Sequence, residues 1–257
     1  MKILHSKIEG KGQPLLIFHG FMGMLDNWKS IGTLYANEGY EVHTIDLRNH
    51  GKSFHDKAHN YEVMTQDILN YIAHYQLNNC NIIGHSMGGK LAQFLCCHSP
   101  TLFDKVVVAD IGVKYYPPHH QTILNGLQAI DFEIHNTRKA VEETLEIYIQ
   151  DFGTLQFLMK NVYWKTSEQL GFRFNLETFI HEIEHIGTAL PIDYQYHGKT
   201  LFINGGNSNY VLEKDKPLIL KHFPKAKFET IPNVGHWLHA ENPKLFFEIT
   251  NNFLKNE

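Results

Sequence analysis

The sequence has little cysteine, little arginine and no long apolar run. Its three cysteines are Cys80, Cys96 and Cys97. An odd number, with two adjacent, does not make a disulfide framework. They are expected to be reduced, small apolar residues of a reducing compartment. The three arginines are Arg48, Arg138 and Arg173, and no basic run or stripe accompanies them. With a formal net charge of −4, this excludes the electrostatic footprint of a nucleic-acid binder. No apolar stretch approaches a membrane span. The opening MKILHSKIEG lacks the apolar core of a signal peptide. The expectation is a cytoplasmic protein with no membrane span and no nucleic-acid partner.

Histidine is what the sequence has in excess, with 18 in 257 residues. The excess invites a metal reading, but the spacing does not support one. His181-Glu182-Ile183-Glu184-His185 lies one residue away from H-E-x-x-H, and His119-His120 are simply adjacent. These histidines read as solvated helix faces, and neither metal nor cofactor is expected. The remaining composition, 43% hydrophobic and 19% charged, suits a single α/β domain with a substantial core.

The chain is organised around Asn81–Lys90, NIIGHSMGGK. Ile82 and Ile83 end a buried strand, Gly84-His85-Ser86-Met87-Gly88 fits G-x-S-x-G, and a helical pattern follows from Lys90. This is the strand, sharp turn and helix of a nucleophile elbow. Ser86 must take a strained backbone conformation to lift its Oγ clear of the turn. The strand and helix then pass so closely that side chains at 84 and 88 would clash.

Three further loops follow buried strands. Leu15–Phe18 runs into His19-Gly20-Phe21, where the backbone N–H of Phe21 is one candidate oxyanion donor. Met87, after the serine, supplies the other. Val106–Ala109 ends at Asp110, at the carboxyl end where open α/β sheets build their sites; a turn-capping role is the alternative for that residue. The last strand, Lys227–Ile231, leads to Gly235-His236. Asp46, by contrast, is expected to bond local backbone N–H groups. The chain order Ser86, Asp110, His236 is that of the α/β hydrolases. A serine hydroxyl needs a histidine to take its proton. The histidine needs a carboxylate on its other nitrogen to hold tautomer and orientation.

Between Gly112 and about His197 the strand–helix rhythm breaks. Helical patterns run through Thr137–Gln150 and Leu176–Ile186, the latter with Asn175 as N-cap. Read as an insertion, residues 112–197 form a helical cap over a core of residues 1–111 and 198–257. Its aromatics, Tyr148, Phe152, Phe157, Tyr163 and Trp164, suit an apolar substrate group; the alternative for most of them is that they pack the cap onto the core.

Together these motifs resemble the α/β-hydrolase family over nearly the whole chain. More closely they resemble the YbfF-type bacterial acyl esterases, through HGFMGMLDNW, DLRNHGKS, GHSMGGK, VADIG, GGNSNYV and GHWLHAENP. The resemblance implies a mostly parallel eight-stranded sheet with helices on both faces and a helical cap. It also implies hydrolysis of small-molecule carboxylic esters or acyl thioesters, with Ser86 as nucleophile, His236 as base, and Phe21 and Met87 as oxyanion donors. Many α/β hydrolases carry the acid in a G-x-x-D pattern after the seventh strand. Here Gly205-Gly206-Asn207 is followed by Ser208, which cannot supply a charge. The resemblance at this point raises Asp110 to the triad acid. Two other functions remain open: a menaquinone-pathway type of lyase, which should want arginines at its site, and a non-catalytic ligand-sensing relative.

Overall fold

The computed structural model describes residues 2–256. Its elements run β1 (Ser6–Glu9), β2 (Gln13–Phe18), α1 (Lys29–Asn37), β3 (Tyr40–Ile45), α2 (Tyr61–His74), β4 (Cys80–His85), α3 (Met87–His98) and β5 (Phe103–Ala109). Then come α4 (Gln121–Gln128), α5 (Arg138–Glu146), α6 (Phe152–Met159), the short strands β6 (Val162–Trp164) and β7 (Leu170–Phe172), and α7 (Leu176–Ile186). The chain closes with β8 (Lys199–Gly205), α8 (Lys216–His222), β9 (Ala226–Ile231), α9 (Leu238–Glu241) and α10 (Pro243–Asn256).

Seven strands form one sheet in the order β1-β3-β2-β4-β5-β8-β9. β1 pairs antiparallel with β3, and the other pairings are parallel. The sheet therefore has seven strands among the described residues, not the expected eight. Only β1 precedes the first parallel strand, and the remaining two strands pair with each other as a separate ribbon.

The continuous apolar runs are explained by burial on both faces. Along β2, Leu16 and Phe18 enter one core cluster while Leu15 and Ile17 enter the other, as alternation requires. The first cluster takes the apolar stripes of α2 and α3, through Ile68 and Leu91 among others. The second takes α1 and α10, through Tyr35 and Phe246. Segment 112–197 packs on the first cluster through residues such as Leu127, Leu145 and Phe179.

Helix starts follow side-chain chemistry. Asn175 Oδ1 accepts from Thr178 N at 3.3 Å, and Thr137 and Asp151 do the same for α5 and α6. Asn242 Oδ1 accepts from Leu245 N at 3.2 Å just ahead of Pro243, the first residue of α10. α1 departs from this pattern. Asp26 and Asn27 lie inside a 3₁₀ turn, Leu25–Trp28, which leads straight into the helix.

Candidate active site

The centre of the sheet brings three strand ends together. β4 ends at His85 and α3 begins at Met87, so Ser86 is the whole turn. Its φ of 52° and ψ of −120° are a conformation that non-glycine residues rarely adopt. The turn is held by Ser86 N donating to Ala109 O at 2.9 Å and Lys90 N donating to Ser86 O at 2.9 Å. A Cβ at Gly84 would lie 2.2 Å from Gly88 O, so strand and helix touch as expected. At Gly88 the obstacle is different: its Cβ would meet Phe18 O at 2.5 Å and His19 O at 2.6 Å. That glycine lets α3 approach β2 rather than β4.

Asp110 follows β5 directly, next to the Ser86 turn, and is fully buried. Its φ of 51° turns it away from the sheet line. Asp110 Oδ1 accepts from Gly205 N at 3.1 Å. Oδ2 accepts from His236 Nδ1 at 2.7 Å and from Ser208 Oγ at 2.5 Å. A carboxylate can only accept, so Nδ1 carries the proton and Nε2 is left as the basic nitrogen. Ser208, noted in the sequence only as a missing acid, is thus a donor to the acid at position 110. The His236 ring stacks on Tyr210, centroids 4.0 Å apart and 15° from parallel. Burial and the Asp110 charge push the Tyr210 phenol up to about 12, so it is neutral.

The backbone N–H groups of Phe21 and Met87 meet no protein acceptor among the described residues. The loop carrying Phe21 is fixed by two buried histidines, His19 and His50. Leu47 N donates to His19 Nε2 at 3.0 Å, and Met22 N donates to His50 Nε2 at 3.1 Å. Their Nδ1–H groups donate to Gly20 O and Arg48 O, both at 2.8 Å. Burial lowers both pKa values, which keeps the rings neutral and able to accept. His85 is a third: its Nε2 donates to His236 O at 2.8 Å, and burial holds its pKa well down. His181 and His185, by contrast, are exposed on α7 as expected. The signal that separates the two groups is position, since His19, His50 and His85 all sit at strand ends or in the loops that follow them.

Asp46 holds the same region, its carboxylate accepting from Leu25 N at 2.8 Å and Lys52 N at 2.9 Å. Lys90 is fully buried on α3 and donates to Gly112 O at 2.7 Å and Lys114 O at 2.9 Å. It ties the start of segment 112–197 to the Ser86 helix.

Ser86 lines two cavities. The larger, about 180 Å³, is bounded by Gly20, Phe21, His85 and His236 on the sheet side and by His120, Ile123, Phe157 and Leu158 from segment 112–197. The smaller, about 20 Å³, is bounded by Met87, Ile111, Tyr116, Ile183 and Ile186 among others. Of the five aromatics Tyr148, Phe152, Phe157, Tyr163 and Trp164, Phe157 alone lines either cavity. Phe152 is 72% and Trp164 53% exposed. No group of three or more His, Cys, Asp or Glu side chains among the described residues is arranged to hold a metal. No helix among them is long and apolar enough to cross a membrane.

Comparison with known proteins agrees with the fold. The family model for the alpha/beta hydrolase fold matches residues 13–160. The sn-1-specific diacylglycerol lipase ABHD11 of Danio rerio is 33% identical, the alignment covering 99% of this chain and 83% of that one. Esterase YbfF of Escherichia coli is 32% identical over 95% of this chain and 93% of its own. A solved structure described as a marine microorganism esterase superposes with a TM-score of 0.95 at 38% identity, covering 98% of this chain and all of that one. With the elbow, the sheet order and these relatives in agreement, the chain belongs to the alpha/beta hydrolase family and is similar to the YbfF esterase.

Proposed function

We propose that the protein is a serine esterase that hydrolyses small carboxylic esters through an acyl-enzyme. Ser86 Oγ attacks the ester carbonyl while His236 Nε2 takes its proton. Asp110 holds the tautomer and stabilises the imidazolium that forms. The N–H groups of Phe21 and Met87 receive the oxyanion. His236 then passes the proton to the leaving alcohol as the acyl–oxygen bond breaks. Water, activated by the same base, releases the acid. Segment 112–197 acts as the cap that screens this chemistry from solvent.

The observation that best supports the reading is the 2.7 Å contact between His236 Nδ1 and a fully buried Asp110 carboxylate. It couples a base to an acid beside a serine held at φ 52°. The names of the similar proteins, esterase and lipase, support ester hydrolysis. Thioesters could be cleaved by the same groups. The lyase reading finds no support from arginine. Arg48 is committed to Asp67 through two bonds, Arg138 donates to the Val162 and Met159 carbonyls, and Arg173 lies over the Tyr163 ring. None of the three lines a cavity at Ser86.

The test is a panel of acetyl to decanoyl esters with wild type and Ser86→Ala. Wild type should turn over the shorter esters, and Ser86→Ala should lose roughly four to six orders of magnitude in kcat. A Ser86→Ala variant with near-wild-type turnover would refute the assignment.

A further inference from the structure

The two cavities at Ser86 are unequal, and proton delivery says which half of an ester each holds. His236 must hand its proton to the leaving oxygen, so the leaving group lies on the histidine side. His236 lines the cavity of about 180 Å³ and not the one of about 20 Å³. The small cavity has room for about one water-sized group, which fits the methyl of an acetyl. The large one is comparable to the cavity of about 150 Å³ that encloses a benzene molecule.

One wall of the large cavity is shared with a second hollow. Phe157 and Trp237 form that wall, their rings 4.4 Å apart, and both also line a groove of about 490 Å³ on the outer side. These are the two residues common to cavity and groove. The groove runs between α6 and α9 and presents polar side chains, among them Asn27, Gln156 and Lys160. Asp151 and Glu241 add two carboxylates against the single lysine. That balance disfavours an anionic ligand and suits an uncharged, oxygen-rich one.

Building on the esterase reading, we propose that this groove is a leaving-group subsite entered past the Phe157–Trp237 pair. It makes the protein selective for short acyl esters of long, uncharged, hydroxylated alcohols. The bond that breaks joins the short acyl carbon to the alcohol oxygen. The bond that forms joins that carbon to Ser86 Oγ. The serine proton leaves on the alcohol through His236.

The experiment compares methyl acetate, tetraethylene glycol monoacetate and methyl octanoate. Wild type should show kcat/KM for the glycol ester at least tenfold above methyl acetate, with methyl octanoate the poorest. Gly153→Phe should fill the groove from α6. A Cβ there meets nothing closer than Asp151 Oδ1 at 3.4 Å. Ala240→Trp should fill it from the exposed side of α9. Either variant should cut the glycol-to-methyl preference at least fivefold. Calorimetric titration of Ser86→Ala with the glycol ester should detect binding that the same fillings weaken. Binding of that kind without hydrolysis of any ester by wild type would sink the esterase reading and keep the groove. Hydrolysis with no glycol preference, or a preference that both fillings leave intact, overturns the groove. So does methyl octanoate as the best of the three substrates.

Discussion

Asp110→Asn is the most informative single change, because Asp110 makes three bonds that an amide cannot all reproduce. The carboxylate accepts from Gly205 N, Ser208 Oγ and His236 Nδ1. An amide that keeps its oxygen toward Gly205 N turns its NH₂ toward His236. It then donates to Nδ1, which moves the ring proton to Nε2 and removes the base. The flipped amide keeps the His236 bond but sets NH₂ against the Gly205 N–H. In either case the imidazolium loses its counter-charge. At roughly 4 Å between charge centres and an effective dielectric of about 20, that attraction amounts to about 4 kcal/mol. The wrong tautomer adds about 1–2 kcal/mol, of the order of one hydrogen bond. The sum of about 5–6 kcal/mol corresponds to about a 10⁴-fold loss in kcat. Folding should suffer much less, since no buried charge is left unpaired. A cost of about 1–2 kcal/mol lowers Tm by only a few degrees at this chain length, on the order of 2–4 °C per kcal/mol. The assay is kcat on a saturating short ester, with the melting curve by circular dichroism. The double variant Asp110→Asn, Ser208→Asp should regain part of the rate, because position 208 already touches the same oxygen. Asp193→Asn, exposed and ahead of β8, should change nothing. A folded Asp110→Asn protein that keeps more than a tenth of wild-type kcat would refute the reasoning.

Ser208→Ala removes one donor from the carboxylate oxygen that faces His236. Asp110 keeps its charge and its 2.7 Å contact with His236, so kcat/KM should fall by at most about tenfold. A loss of about a hundredfold or more would contradict the reading of Asp110, rather than Ser208, as the partner that His236 needs. Stability should also fall on acidification. His59 and His239 are buried, each with an unbonded ring nitrogen, and burial lowers their pKa values to about 3. The unfolded chain protonates these rings below about pH 6.5 while the folded chain does not. They therefore cost nothing above that pH and together up to about 2.7 kcal/mol per pH unit below it, down to about pH 3. Denaturant melts at pH 7 and pH 5 should differ by about 4 kcal/mol from these two groups, and equal stabilities would contradict their neutral burial.

What the sequence disclosed was what local chemistry dictates. Branched apolar runs such as Leu15–Phe18 and Val106–Ala109 are strands because nothing else buries such a run on both faces. The glycines around Ser86 announce a close approach, although the structure shows Gly88 serving β2. The strand-end position of Asp110, together with the resemblance, pointed to the residue whose carboxylate lies 2.7 Å from His236 Nδ1. The residues that remained hidden are those whose role depends on distant partners. His19 and His50 accept from backbone N–H groups 28 residues away, and no spacing reveals that. Tyr210 stacks on His236 from another loop. The ribbon of β6 and β7 has three residues per strand, too short for a period to show. The aromatics of 112–197 carry no sequence mark that separates Phe157, against the cavity, from Phe152, facing solvent.

The central claim is that Ser86 is the nucleophile. It is tested most directly by treating the protein with a fluorophosphonate and mapping the adduct by intact-mass and peptide analysis. A single adduct on the peptide containing Ser86, absent from Ser86→Ala and much slower to form in Asp110→Asn, is the predicted result. An unlabelled wild type, or an adduct on any other residue, would contradict the account.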